Sequence, residues 1–252
     1  MRAIITGASS GIGRDMARLL AARGYDLTLV ARRKDRLHAL AKELPVNCQI
    51  LSADLSNVRE CRLVYEAARG KDVEILVNNA GFGLFGNFLE TNLDTELRMI
   101  QTNIVAVHVL TKLFLRDFQD KGEGYILNVS SSAGFMAGPL MATYYASKNY
   151  VLRLTQAIRE ELRQQGSGVQ IAALCPGPVE TEFNRVADVR FSIGGLPSEQ
   201  VAQCAIDGLF SGKGIIVPGF GMKMALAVRR LAPESLVTRV AYHIQHRKGS
   251  AK

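Results

Sequence analysis

The chain has 252 residues, 48% of them hydrophobic and 21% charged, a composition that fits one α/β domain and excludes whole-chain disorder and fibrous repeats. Thirty-one Lys and Arg against 23 Asp and Glu leave a net charge of +8, which would suit a nucleic acid, a membrane surface or a phosphate-bearing ligand. Where the charge sits decides among these.

Arg2 to Thr6 is the first of the short apolar runs that read as strands; the others are Asp26 to Val30, Cys48 to Leu51, Glu74 to Val77, Tyr125 to Val129, Val169 to Leu174 and Ile215 to Val217. Most are continuous rather than alternating, as expected of strands covered on both faces of a parallel sheet. Between them, helical patterns run over Gly13 to Arg23 (stopped by Gly24), Lys34 to Leu44, Ser56 to Ala68, Asp94 to Phe118 and Thr143 to Gln165. The last carries Val151, Leu154, Ile158 and Leu162 on one face and Arg159, Glu160 and Arg163 opposite, with Gly166 as its stop. This alternation predicts a Rossmann-like, doubly wound parallel sheet of seven strands with helices on both faces. It forms one domain over 1–218, with a substrate lid near 182–197 and a basic helical tail over 219–252.

The first strand runs into Thr6-Gly7-Ala8-Ser9-Ser10-Gly11-Ile12-Gly13 and then a helix. Glycines at such a junction allow a tight turn, a close approach of backbone to a pyrophosphate, and a helix N-terminus aimed at its charge. Gly7, Ser9, Ser10, Gly11, Ile12 and Gly13 are therefore the expected cradle, although a turn needing glycine for backbone reasons alone would look the same in isolation. About twenty residues on, a cofactor without a 2′-phosphate would be met by Asp or Glu. This chain has Ala31-Arg32-Arg33-Lys34 there instead. Arg32 first and Arg33 second are expected to grip a phosphate, which predicts NADP(H) over NAD(H); a solvated helix start is the alternative.

Asn78-Asn79-Ala80-Gly81 follows the fourth strand and Ser130-Ser131-Ser132 ends the fifth, both at carboxyl ends, where open α/β sheets bind ligands. Asn103 falls inside a helix. Tyr144 and Lys148 are i and i+4 on one helix and share a face. A phenol of ordinary pKa, about 10, is a poor base at neutral pH, and an adjacent ammonium would bring it into working range.

In this order, Thr-Gly-x-x-x-Gly-x-Gly, Asn-Asn-Ala-Gly, the helical Asn, Ser, Tyr-x-x-x-Lys and Pro176-Gly177-Pro178-Val179-Glu180-Thr181 resemble the short-chain dehydrogenase/reductase family over nearly the whole chain. The resemblance implies hydride transfer between the pro-S face of a nicotinamide and a carbonyl or secondary-alcohol carbon. It implies Tyr144 as general acid/base, Ser131 polarising the substrate oxygen, and Lys148 holding the nicotinamide ribose while lowering the Tyr144 pKa. Asn103 would anchor a water that relays protons. Cofactor contacts are implied for Asp54 and Leu55 at the adenine, for Asn79, Ala80 and Gly81, and for Pro176, Gly177, Val179 and Thr181 around the nicotinamide. Asp54 equally suits a helix cap, and Asn79 equally suits a loop brace. Alternation along the strand is expected to turn Ser130 and Ser132 away from the side Ser131 faces.

The expected substrate pocket is apolar, formed by Phe82, Phe85, Leu140, Tyr145, Phe183 and Phe191, and suits a small hydrophobic ketone or alcohol. Arg185 and Arg190 are assigned to a solvent-facing lid. Cys48, Cys61, Cys175 and Cys204 form no metal or disulfide pattern and read as buried thiols of a reducing compartment, the cytoplasm. No metal is expected, because His38, His108, His243 and His246 form no ligand set with acidic or thiol partners. No signal peptide, membrane span or nucleic-acid motif is apparent. The tail holds +6 of the +8, with Leu236, Val237, Val240, Ala241 and Ile244 in one predicted stripe. It would cover the lid or a subunit interface, or lie on an anionic membrane. The family resemblance implies a homodimer or homotetramer. A non-catalytic dinucleotide sensor and a membrane-associated reductase of lipid ketones are the competing functions.

Overall fold

In the computed structural model, which describes residues 1–68, 72–183, 194–229 and 231–249, the apolar runs join into one parallel sheet. Its strands are β1 (Arg2–Thr6), β2 (Asp26–Ala31), β3 (Cys48–Ser52), β4 (Val73–Asn78), β5 (Glu123–Val129), β6 (Gly168–Leu174) and β9 (Ile215–Ile216), in the order β3-β2-β1-β4-β5-β6-β9. A separate parallel pair, β7 (Val179–Glu180) with β8 (Leu196–Pro197), was not anticipated: two residues are too few to leave a periodic signal.

Successive side chains of each strand leave on opposite faces, which sorts the core into two layers. Ala3, Ile5, Ile75, Val77, Leu127 and Leu174 pack against α1 (Gly11–Ala22), α2 (Lys34–Glu43) and α7 (Ser198–Phe210). Ile4, Leu76, Ile126 and Ile171 pack against α3 (Val58–Ala68), α5 (Val107–Lys121) and α6 (Ala142–Gln164). Strand order reverses between β1 and β4, and at such a switch point a crevice opens past the carboxyl ends of the strands.

The long helix expected over Asp94 to Phe118 is two helices, α4 (Leu93–Ile100) and α5, joined by a π-helical turn over Gln101–Ala106. The widened turn adds a residue to the helical repeat and holds Asn103, fully buried, against the loop after β4.

The tail forms α8 (Phe220–Arg229) and α9 (Glu234–Gly249), separated at Pro233 as expected. Its buried face differs from the predicted stripe. Val237, Thr238, Ala241 and Gln245 turn inward, whereas Leu236, Val240 and Ile244 stay about half exposed. The helix is rotated so that Gln245 reaches a hydrogen-bond partner on α6.

Candidate active site

The strand-to-helix turn after β1 is braced from behind. Thr6 Oγ1 donates to Val77 O (3.2 Å) and accepts the Asn79 and Ala80 amides (2.9 and 3.0 Å), while Asn79 Nδ2 donates to Thr6 O and Gly7 O (2.9 and 3.2 Å). Gly7 has φ +67°, and a Cβ there would fall 2.7 Å from Asn79 Nδ2 and 2.9 Å from the Ala80 backbone, so the turn closes onto β4 only with glycine. Asn79 therefore acts as the loop brace, with its residue also on the crevice wall. Ser10, which precedes α1, makes no capping bond, so the first-turn amides face the crevice without a side-chain partner.

The crevice is a cleft of about 480 Å³. Gly7, Ser9, Ser10, Gly11, Ile12, Arg32, Arg33, Asp54, Leu55, Asn79, Ala80 and Gly81 all line it, as do Pro176, Gly177, Val179 and Thr181, the last against Gly11. Gly13 stands one layer behind, against Asn79, so the third glycine admits close packing rather than contact with a ligand. Glycine loop, uncapped helix start and cleft fit a dinucleotide, with Arg32, Arg33 and Asp54 in one part of the lining and Tyr144 with Lys148 in another.

Arg33 Nη2 donates to Ser9 Oγ (3.0 Å) and Ser10 Oγ (2.9 Å), and Arg33 Nη1 donates to Glu182 Oε2 (2.7 Å). Arg36 reaches both oxygens of the same carboxylate (2.8 and 2.9 Å). These two guanidinium groups hold the Glu182 carboxyl down at about 2. Arg32 is exposed at the cleft edge, and its charge acts on Asp54. Burial pulls the Asp54 carboxyl up, but the Ser56 amide and hydroxyl (3.0 and 2.9 Å) and the Arg32 charge leave it below its usual range. Asp54 is not the cap of α3: Asn57 Oδ1 receives the Arg59 amide instead (2.9 Å).

Elsewhere in the cleft, Tyr144, Lys148 and Ser131 are buried together on its wall. Tyr144 and Lys148 share a face of α6, and Lys148 Nζ lies 5.8 Å from the Tyr144 ring centre and donates to Val129 O (2.9 Å). Ser131 caps a short 3₁₀ turn (Ser132–Phe135), accepting the Ala133 amide (3.1 Å) while its hydroxyl donates to Pro176 O (3.4 Å), and it stands on the same cleft wall as the Tyr144 phenol. Ser130 and Ser132 also line the cleft, because β5 ends at Val129 and its alternation ends with it. Ser130 Oγ is committed to Lys148 O (2.8 Å).

Burial dominates the ionisation of this pair. It raises the Tyr144 phenol above its ordinary value against the lowering pull of Ser131, and it pushes the Lys148 ammonium down to about 8. Without cofactor, then, the phenol stays neutral and Lys148 is not among the groups that lower it.

Asn103 does not line the cleft. Its Oδ1 accepts the Phe82 amide (3.1 Å) and its Nδ2 donates to Phe82 O (2.9 Å) and Ser147 Oγ (3.1 Å), clasping the loop after β4 to α6. A Cβ on Gly81 would come 2.9 Å from Asn103 Oδ1 and 3.4 Å from Lys148 Nζ, so glycine lets both groups flank that loop.

Beside Tyr144 a separate apolar cluster gathers Met99, Ala133, Met141, Phe82, Leu84, Phe85, Tyr145 and Phe183. The Phe183 ring sits 5.4 Å from that of Tyr144, and Tyr145 meets it edge-on at 6.1 Å. Phe82, Tyr145 and Phe183 line the cleft as expected of a substrate wall, whereas Phe85 and Leu140 stand behind it. Leu140 occupies a turn at φ +63°, its carbonyl bound to the Gly86 amide (2.8 Å), and the next residue, Met141, supplies the wall. Phe191, Arg185, Arg190 and most of the expected lid lie outside the described residues. Gln245 of α9 and Glu182 also line the cleft and were not anticipated, since both are brought there by non-local folding. Among the described residues no group of His, Cys, Asp and Glu gathers to hold a metal, and no helix is long and apolar enough to cross a membrane.

The sequence profile of the short chain dehydrogenases matches residues 1–189. A very-long-chain 3-oxoacyl-CoA reductase of Mycosarcoma maydis is 30% identical over 67% of this chain, which spans about half (51%) of that relative's length. An NADP-dependent 3-hydroxy acid dehydrogenase of Schizosaccharomyces pombe is 34% identical over 73% of each chain. Among solved structures, a short-chain dehydrogenase from Sphingobium yanoikuyae in complex with NADPH is 31% identical and superposes with a TM-score of 0.82 over 91% of this chain and 93% of the other. With sheet order, glycine turn and the buried Tyr144, Lys148 and Ser131 all in agreement, the chain belongs to the short-chain dehydrogenase/reductase family of oxidoreductases.

Proposed function

We propose that the chain transfers a hydride reversibly between NADP(H) and a carbonyl or secondary-alcohol carbon of a hydrophobic substrate, with Tyr144 as general acid/base. The observation that carries this reading is the buried Tyr144 phenol, which shares the cleft wall with Ser131 and Lys148 where the cleft meets the apolar cluster. When bound, the nicotinamide supplies or accepts the hydride. Ser131 and Tyr144 hold the substrate oxygen between two hydroxyls, and the neutral phenol donates its proton to that oxygen as the carbonyl is reduced. Lys148 lies beside the phenol and brings positive charge to it. Asn103 keeps the Gly81–Phe82 wall at the distance the reacting carbon needs, with a water relay as its further role. Phe82, Met141, Tyr145 and Phe183 exclude water from the reacting centre.

Arg32 and Arg33, with Ser9, form the 2′-phosphate site, and the preference for NADP(H) rests on them. Glu182 now neutralises Arg33, and a cofactor phosphate would take over that charge. The named relatives that use NADP or hold NADPH, and those that act on 3-oxoacyl or 3-hydroxy acid substrates, support both halves of the proposal. Self-association through the exposed apolar face of α8 and α9, and a cytoplasmic location, complete it.

A panel of ketones followed by NADPH absorbance tests the reading. Turnover is expected with several hydrophobic ketones, at least tenfold more efficiently with NADPH than with NADH, and Tyr144→Phe is expected to lose ~10²–10⁴-fold in kcat, the usual contribution of a positioned proton donor. Wild-type turnover in Tyr144→Phe, or a preference for NADH, would overturn the corresponding half.

A further inference from the structure

The C-terminal helix places one polar side chain in the cleft. Gln245 is 3% exposed and lines the cavity beside Tyr145. Its Nε2 donates to the Tyr145 hydroxyl at 2.8 Å, whereas its Oε1 is buried with no hydrogen-bond partner among the described residues. A buried carbonyl oxygen left unpaired is costly, so such atoms in folded proteins are commonly completed by a ligand or water. The Tyr145 oxygen, accepting from Gln245, still has its own O–H to give. The pair therefore offers one acceptor and one donor a short way from Tyr144, whose ring is 6.1 Å from that of Tyr145. Around the pair, Ala133, Met141 and Phe183 offer no competing polar group.

We propose that Gln245 and Tyr145 form a second polar subsite, which selects substrates carrying a hydrogen-bond donor, a hydroxyl in the first instance, near the carbonyl that Tyr144 and Ser131 hold. The inference rests on the proposed carbonyl reduction and adds the substrate class to it. A hydroxyl satisfies both partners, donating to Gln245 Oε1 and accepting from the Tyr145 O–H. A plain ketone of the same skeleton leaves Oε1 unpaired in an apolar wall, and sites built to hydrogen-bond a hydroxyl reject the analogue lacking it far more strongly than apolar pockets reject a missing methylene. Gln245 is thus a specificity residue and not part of the proton transfer.

The test compares three substrates of one skeleton, a hydroxyketone, its deoxy ketone and the corresponding keto ester, with the full-length wild type, Gln245→Leu, Gln245→Met and Tyr145→Phe, all with NADPH. Wild type is expected to favour the hydroxyketone over the deoxy ketone by at least tenfold in kcat/KM. In Gln245→Leu and Gln245→Met that ratio should fall toward one, through a higher KM for the hydroxyketone and a lower KM for the deoxy ketone. Tyr145→Phe should reduce the ratio partway. Gln245→Met, close to glutamine in volume, guards against a leucine variant that folds poorly. A ratio that survives in both Gln245 variants overturns the subsite while leaving carbonyl reduction standing. A Gln245-dependent preference for the keto ester alone overturns the assignment of a donor. Absence of turnover in wild type with every ketone would instead overturn the proposed reaction, and this inference with it.

Discussion

Lys148 is the residue on which the stability and the chemistry of the site make opposing demands. Burial lowers its ammonium from the ordinary 10.5 to about 8. Between those values the unfolded chain binds a proton that the folded chain has released, so unfolding takes up protons and stability rises with pH across the window. The gain by linkage is about 3 kcal/mol at most. Tyr144 acts in the opposite sense: its folded phenol keeps a proton above pH 10 that the unfolded chain loses, so stability falls there. Thermal melts of the cofactor-free protein are therefore expected to show a midpoint that rises from about pH 8 to about pH 10 in wild type, relative to Lys148→Met. Parallel profiles in the two proteins would contradict a buried ammonium. The sequence placed Lys148 beside Tyr144 correctly through the i, i+4 spacing, but the direction of the Tyr144 shift was not legible. It depends on how much apolar surface surrounds the ring, and Phe183, Met141 and Met99 arrive from three separate segments.

At the scale of elements, the sheet was readable because a strand covered on both faces has no polar side to show, and most of its seven strands lie where a largely apolar run does. The π-helical turn was not readable. Glu96, Met99, Asn103, Leu110, Phe114 and Phe118 recur at spacings an unbroken α-helix would also give, so the extra residue in the repeat leaves no mark in the pattern. The turn lets α4 direct Met99 into the cluster around Tyr144 while α5 sends Phe114 and Phe118 into the sheet layer. Deleting one residue between 101 and 106 should therefore do more harm than substituting any exposed residue there. The shortened stretch would close into an ordinary α-helical turn and lose the widened turn that carries Asn103 to Phe82 and Ser147. The expected result is loss of activity together with a large drop in melting temperature, whereas Gln101→Ala, at an exposed position, should change both little. A deletion variant as stable and active as wild type would show that the turn carries no positional information.

For the whole molecule, the net charge of +8 divides into a nearly neutral body and a tail of +6, and within the body the cationic groups that matter line one part of the cleft. The tail keeps Phe220, Met224, Val228, Leu236, Val240 and Ile244 at the surface, an apolar exposure that association with a second copy would relieve. Sedimentation velocity is expected to give a dimer or tetramer that resists high salt, and Leu236→Ser/Val240→Ser/Ile244→Ser is expected to yield a smaller species. A monomeric wild type that binds anionic vesicles would place this face on a membrane instead. The predicted stripe on α9 missed Gln245 because a lone glutamine between Ile244 and His246 has no local reason to turn inward. Only Tyr145, 100 residues earlier, supplies one. That long reach has a consequence for how such an enzyme could diversify. The residues proposed for proton transfer and cofactor grip lie between Gly7 and Glu182, and the Tyr145 hydroxyl is met by a residue encoded much later, at 245. Exchanging the last helices between relatives would then re-aim the choice of substrate as an inherited module, while the machinery that performs the reduction passes on unaltered.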